Sequence, residues 1–151
     1  MIVNGTALLA AAPFKLMETT KIKTEEQPSH GLSEAGYDIR IKQDVTLHGL
    51  NKFSLASAIE EFQMPDNLVG VVHDKSTWAR RGLSVFNTVI EPEWSGFLTL
   101  ELVYHRLMPL HIKAGSGIAQ VLFSTLATSG HYDGKYQNQA NRPVDAIYEK
   151  G

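Results

Sequence analysis

The stretch Phe97 to Tyr104 (FLTLELVY) constrains the chain most, because Leu98, Leu100 and Leu102 alternate with Thr99, Glu101 and Val103. Successive side chains of a β-strand point to opposite faces, so this period of two predicts a strand with one face on a core. The pattern recurs. Tyr37, Ile39 and Ile41 alternate with Asp38, Arg40 and Lys42, and Phe53, Leu55, Ser57 and Ile59 make a second run. Asn67–His73, Leu83–Val89 and Ile118–Phe123 read as further strands. Pro65-Asp66, Glu91-Pro92, Ser95-Gly96 and Ala114-Gly115 mark turns between runs. Short strands at regular spacing with few helices predict an all-β sandwich or distorted jelly-roll/β-barrel.

Outside the strands, residues 4–18 can form one short helix, and residues 21–35, polar with Pro28 and Gly31, read as a loop. A helical insert spans Asp74 to Gly82, with Asp74 or Ser76 able to cap its start and Gly82 its end. The sequence then divides into one β domain over 1–128 and a polar tail or lid over 129–151. The tail has Gly130 and Gly134 but no strong apolar periodicity, so it is expected to be disordered until a ligand orders it.

Composition excludes some classes. A formal charge of −2 argues against a nucleic-acid polymer as partner, since such proteins carry a basic face. There is no cysteine, hence no disulfide and no ligand set for the zinc deaminases, which use a Pro-Cys-x-x-Cys element. Ala7 to Pro13 is apolar but too short to span a bilayer, and no basic segment precedes it. The expectation is a cytoplasmic protein without membrane contact.

Several residues can carry chemistry. If the leucines of Phe97–Tyr104 face the core, then Phe97, Thr99, Glu101 and Val103 share the other face. A carboxylate between apolar neighbours is partly desolvated, which raises its pKa and suits it to moving protons near neutrality. A solvated strand glutamate would show the same pattern. Ser76 and Arg80 are four residues apart on the helical insert and share a face, where a hydroxyl and a guanidinium suit a phosphate or carbonyl oxygen. Lys75 would add to that anion site, although a solvated basic helix end is an equal alternative. Glu91, at the Pro92 turn, can hold a hydroxyl or a water, or be a plain turn acid. Tyr132, Lys135, Tyr136 and Gln139 offer rings, a cation and an amide that can close over a nucleotide. Trp78 and Trp94 are expected in the core or in a subunit contact.

In register, these segments resemble the superfamily of dCTP deaminases and dUTPases, from about Glu34 to Asn141. Ser33-Glu34-Ala35-Gly36-Tyr37-Asp38-Ile39-Arg40 resembles the first motif, and Met64-Pro65-Asp66-Asn67-Leu68-Val69-Gly70 the approach to the second. Lys75-Ser76-Thr77-Trp78-Ala79-Arg80-Arg81-Gly82-Leu83 is similar to the deaminase form of that motif, usually Arg-Ser-Ser-x-Ala-Arg-x-Gly-Leu. Ile90-Glu91-Pro92-Glu93-Trp94-Ser95-Gly96 resembles the third, Thr99-Leu100-Glu101-Leu102 the deaminase strand after it, and Gly117-Ile118-Ala119-Gln120 the fourth. The tail carries Gly134-Lys135-Tyr136-Gln137-Asn138-Gln139, similar to the deaminase ending, in place of the glycine-rich end of a dUTPase. There are departures. The deaminase His-x-Thr-Ala-Gly pattern appears as Phe86-Asn87-Thr88, two residues shorter, and the usual third-motif aspartate is Glu91.

The resemblance implies a dUTPase-like fold and a set of roles. Glu101 would shuttle the proton of the water that attacks the pyrimidine C4. Ser76 and Arg80 would come from a neighbouring subunit to orient water, base and phosphates. Glu91 would bind the sugar 3′-hydroxyl, Gln120 a phosphate, and Tyr132, Lys135 and Gln139 the base and triphosphate. Lys75, Thr77, Thr99 and Leu100, in the same motifs, complete the implied substrate-binding set. A homotrimer with shared sites is also implied, with Mg2+ bound through the substrate triphosphate. Three functions follow as expectations: dCTP deaminase; dUTPase or a bifunctional enzyme giving dUMP; and a non-catalytic nucleotide-binding regulator.

Overall fold

A computed structural model of the chain describes residues 1–149, so the last two positions of the predicted tail lie outside the described residues. The chain runs β1 (Ile2–Val3), α1 (Gly5–Ala11), β2 (Lys21–Ile22), β3 (His30–Leu32), β4 (Tyr37–Arg40), β5 (Val45–Leu47), β6 (Phe53–Gln63) and β7 (Leu68–Asp74). It continues through α2 (Ser76–Ala79), β8 (Leu83–Val85), β9 (Val89–Ile90), β10 (Ser95–Tyr104), β11 (Leu110–Ile112) and β12 (Gly117–Thr125). The larger sheet has the order β2-β3-β4-β12-β7-β9, with β1 also on β12; a second has β6-β10-β8, and β11 pairs with β5. Every named strand pair is antiparallel, as expected of a jelly-roll-like fold.

One buried cluster joins the sheets: Ile39, Val121 and Phe123 from the larger one meet Ala56, Phe62, Leu100 and Leu102 from the smaller. Phe14 sits among them, its ring 4.7 Å from Tyr37 and 4.5 Å from Phe62. Burial of each large apolar side chain contributes about 1.5–3 kcal/mol. Trp78 and Trp94 are both buried, and Trp78 Nε1–H donates to the Gly117 carbonyl at 2.7 Å.

The structure corrects several local expectations. The first helix stops at Ala11, well short of residue 18, because Ala12 turns left-handed (φ 46°) ahead of Pro13. Residues 21–35 contain β2 and β3 rather than only loop. α2 starts after Lys75 with no side-chain cap; Asp74 instead accepts from Val85 N–H at 2.7 Å. Gly82, at φ 90°, ends the helical segment as expected. The predicted strand Leu83–Val89 divides into β8 and β9, which belong to different sheets, with Phe86-Asn87-Thr88 crossing between them. Leu98 is not in the core with Leu100 and Leu102. It lies where the register of β10 against β6 shifts, between Phe97 and Thr99, and there it turns towards a cavity.

Candidate functional site

β6 and β10 form the floor of a cavity of about 730 Å³. Pairing fixes the order of side chains along it: Thr99 opposite Ser57, Glu101 opposite Leu55, and Val103 opposite Phe53. The floor therefore runs from the Thr99 hydroxyl, through the Glu101 carboxyl, to an apolar end at Phe53 and Val103. Phe86, Asn87, Thr88 and Val89 form one wall, with Glu91 at the exposed rim. Trp94 and the tail residues Tyr132, Tyr136, Gln139, Val144, Asp145 and Ala146 close the other side.

Glu101 is half-buried, with Leu55 opposite it and Val103 next along its own face, and its carboxyl is pushed up from the ordinary range by burial alone. The charged form is thereby costlier near the floor of the cavity than it is in water.

The tail is docked rather than loose. Its Gln139 forms a parallel bridge with Gly96, and its side-chain Oε1 accepts from Thr99 N–H at 3.2 Å. Trp94 Nε1–H donates to the Tyr136 carbonyl at 2.6 Å, and Ser95 N–H to Gln137 Oε1 at 2.8 Å. Further along, Val144 N–H donates to Thr99 Oγ1 at 3.1 Å and Ile147 N–H to Tyr136 Oη at 3.0 Å. Gly96 permits this approach: a Cβ there would stand 2.4 Å from Gln139 N.

Of the residues singled out by sequence, Glu101, Thr99, Glu91, Tyr132 and Gln139 meet in this cavity, with Tyr136. The others lie elsewhere. Ser76, Thr77 and Arg80 are exposed on or beside α2. Lys75 is turned inward, its Nζ 2.5 Å from Asp38 Oδ2, so within one chain it is not free for an anion. Gln120 donates from Nε2 to Ser33 Oγ at 2.9 Å. Lys135 is exposed, its Nζ 5.4 Å from the Tyr136 ring centre. Leu100 is fully buried in the core, so its side chain does not reach the cavity. Sequence reasoning missed Phe53, Leu55, Val103 and the segment 144–146; the alternation of β6 held the signal for the first two, and nothing in the tail pattern held one for Asp145.

Among the described residues, the lining contains Glu91, Glu101 and Asp145 but no lysine, arginine or histidine. Nor do three His, Asp or Glu side chains converge into a metal cage among the described residues. Arg80 and Arg81 line a second, shallow pocket with Arg106, and no acid shares it among the described residues. No described helix is long and apolar enough to cross a membrane.

Comparison with known proteins adds to this geometry. Residues 45–126 match the family model described as "dCTP deaminase-like". The chain is 34% identical over 160 residues to the dCTP deaminase of Janthinobacterium sp. (strain Marseille), covering 84% of this chain and 85% of that protein. It is 36% identical over 148 residues to the dCTP deaminase of Chlamydia trachomatis serovar D, covering 76% and 78%. Its fold is similar to that of the dCTP deaminase from Agrobacterium tumefaciens (TM-score 0.64, 10% identity, 86% of this chain and 50% of that one). It is also similar to the dUTPase of EIAV (TM-score 0.57, 18% identity, 80% and 93%). The chain belongs to the dCTP deaminase-like family.

Proposed function

We propose that this protein is a cytoplasmic, zinc-independent dCTP deaminase that converts dCTP to dUTP and ammonia. The observation that carries this reading is the desolvated Glu101 carboxyl on the floor of a nucleotide-sized cavity. Glu101 begins as the carboxylate and takes a proton from water as the water oxygen bonds to the pyrimidine C4. It then passes that proton to the C4 amino group, the C–N bond breaks and ammonia leaves. The proton of the new C4 hydroxyl then moves to ring N3, giving the C4 carbonyl and N3–H of dUTP. A carboxyl held above its ordinary pKa suits both halves of this exchange.

The charge of the lining supports a shared site. A cavity with three carboxylates and no cation among the described residues is a poor holder for a triphosphate. The exposed Ser76, Arg80 and Arg81 are what it lacks, and in a homotrimer a neighbouring copy would supply them. Glu91 would then hold the sugar hydroxyl, and Tyr132, Tyr136 and Gln139 would cover base and sugar. Mg2+ bound to the triphosphate would offset phosphate charge near Glu91 and Asp145.

A second reading is triphosphate hydrolysis, with Glu91 activating water against the α-phosphate; the rim position of Glu91 favours it. One experiment separates the two. The protein is incubated with dCTP or dUTP and magnesium, and ammonia and pyrophosphate are measured independently. Ammonia from dCTP without pyrophosphate is expected. Pyrophosphate from dUTP alone overturns the deaminase reading, and both products from dCTP indicate a bifunctional enzyme.

A further inference from the structure

The β8–β10 ladder is extended towards Glu101 by a side chain. Its pairs run from Tyr104 opposite Leu83 to Leu102 opposite Val85, and there β8 ends. One more step would set Phe86 opposite Glu101, and half of it is made: Phe86 N–H donates to the Glu101 carbonyl at 2.7 Å. The main chain then departs towards β9, and Asn87 turns its amide back to β10. Glu101 N–H donates to Asn87 Oδ1 at 3.1 Å, while Asn87 Nδ2 donates to the Thr99 carbonyl at 2.7 Å. A side-chain amide presents an acceptor and a donor as a peptide group does. Asn87 therefore stands in for the strand residue that is missing. On the opposite edge, the register with β6 shifts between Phe97 and Thr99. The backbone from Thr99 to Glu101 thus pairs regularly with β6 only on the far side of that shift, and on its other edge it depends on Asn87.

We infer that Asn87 is a positioning residue for the reaction, fixing the backbone of β10 from Thr99 to Glu101 and with it the place of the Glu101 carboxylate in the cavity. The inference rests on the reading of Glu101 as the proton-transferring group. A displacement of about 1 Å at a reacting group can cost on the order of 10²-fold in rate. Loosening this backbone also admits water to a carboxyl now half-buried beside Leu55 and Val103. β6 brings only Phe53 and Leu55 to the cavity, and the other titratable groups facing it are Glu91, Asp145, Tyr132 and Tyr136.

The test measures ammonia release from dCTP, kcat, KM and the pH profile of kcat/KM for the wild type, Asn87→Ala, Asn87→Asp and Glu101→Gln. Thermal melts accompany each. Asn87→Ala removes both bonds, so kcat should fall about 10–100-fold with KM within about threefold. Its acid limb should move to lower pH as Glu101 gains water. Asn87→Asp keeps the acceptor for Glu101 N–H, loses the donor to Thr99, and adds a negative charge, so its acid limb should move to higher pH. Opposite movements in the two variants are what a group beside Glu101 produces. A purely structural Asn87 would lower the melting temperature and leave both acid limbs in place, and that result overturns the inference. If Asn87→Ala does not fold, Asn87→Asp decides. Near-normal turnover by Glu101→Gln would instead overturn the reading of Glu101, and this inference would fall with it. An inactive Glu101→Gln beside unmoved acid limbs would remove the positioning role alone.

Discussion

The indole N–H of Trp94 donates to the main-chain carbonyl of Tyr136 at 2.6 Å, tying the wall of the cavity to the segment that covers it. Trp94→Phe keeps an aromatic ring but deletes that donor. Loss of one such bond should weaken tail docking by about 1 kcal/mol. KM for dCTP should then rise about fivefold with little change in kcat, and the tail should be cut faster in limited proteolysis. Unaltered cleavage would show that this bond does not hold the tail.

Glu101→Gln should abolish ammonia release, with a rate loss on the order of 10²–10⁴ or more, while dCTP still binds within about tenfold of wild type. Its stability should also depend on pH. Burial raises the folded-state pKa of Glu101, so at neutral pH the native state bears the desolvation of a charge. The amide removes that cost, and the variant should melt higher than wild type near pH 7. As pH falls through the raised pKa towards the ordinary value of 4.5, the wild-type carboxyl protonates and the advantage should vanish. Melting curves across this window decide the matter; a constant difference would contradict the desolvation account.

Shared sites make a distinct expectation. Glu101→Gln subunits and Arg80→Ala subunits should each be inactive alone. Mixed within one trimer they should recover partial activity, because some interfaces pair two intact halves. Light scattering that finds a monomer, or verified mixed trimers with no recovery, would count against a site assembled from two copies.

Asp38 and Lys75 form a nearly buried pair, with side-chain exposures of 4% and 12%, and Asp38 Oδ1 finds no hydrogen-bond partner among the described residues. Asp38→Asn leaves the ammonium without its counter-charge and should cost about 3–5 kcal/mol. Adding Lys75→Met should return much of that stability, since an apolar replacement of a buried pair is often close to neutral. Chemical denaturation of the single and double variants measures the coupling.

The strands bearing the core were legible because their apolar positions repeat with a period of two, and Glu101 was legible as the acid that breaks this pattern. Leu98 was not, since a register shift between paired strands leaves no mark on either sequence alone. The division of Leu83–Val89 left only a local break in alternation, at Val85-Phe86 and Asn87-Thr88, while the change of sheet depends on tertiary pairing. The docked tail escaped notice because main-chain bonds and single amides hold it, and these need no apolar periodicity. The inward turn of Lys75 depends on Asp38, which stands 37 residues away in the chain and meets it only once β4 and the end of β7 are folded.

That the charged side chains lining the cavity are, among the described residues, all acids has a thermodynamic consequence. If the proposed shared site is right, a solitary subunit would repel a triphosphate, so nucleotide should bind chiefly to assembled protein. Mass action then requires the reverse: nucleotide should draw subunits together, and apparent affinity should weaken as the protein is diluted. Added salt would act on both sides of this balance, easing the repulsion within one cavity while screening the attraction that completes it. Assembly state and ligand occupancy would then be two readings of one equilibrium.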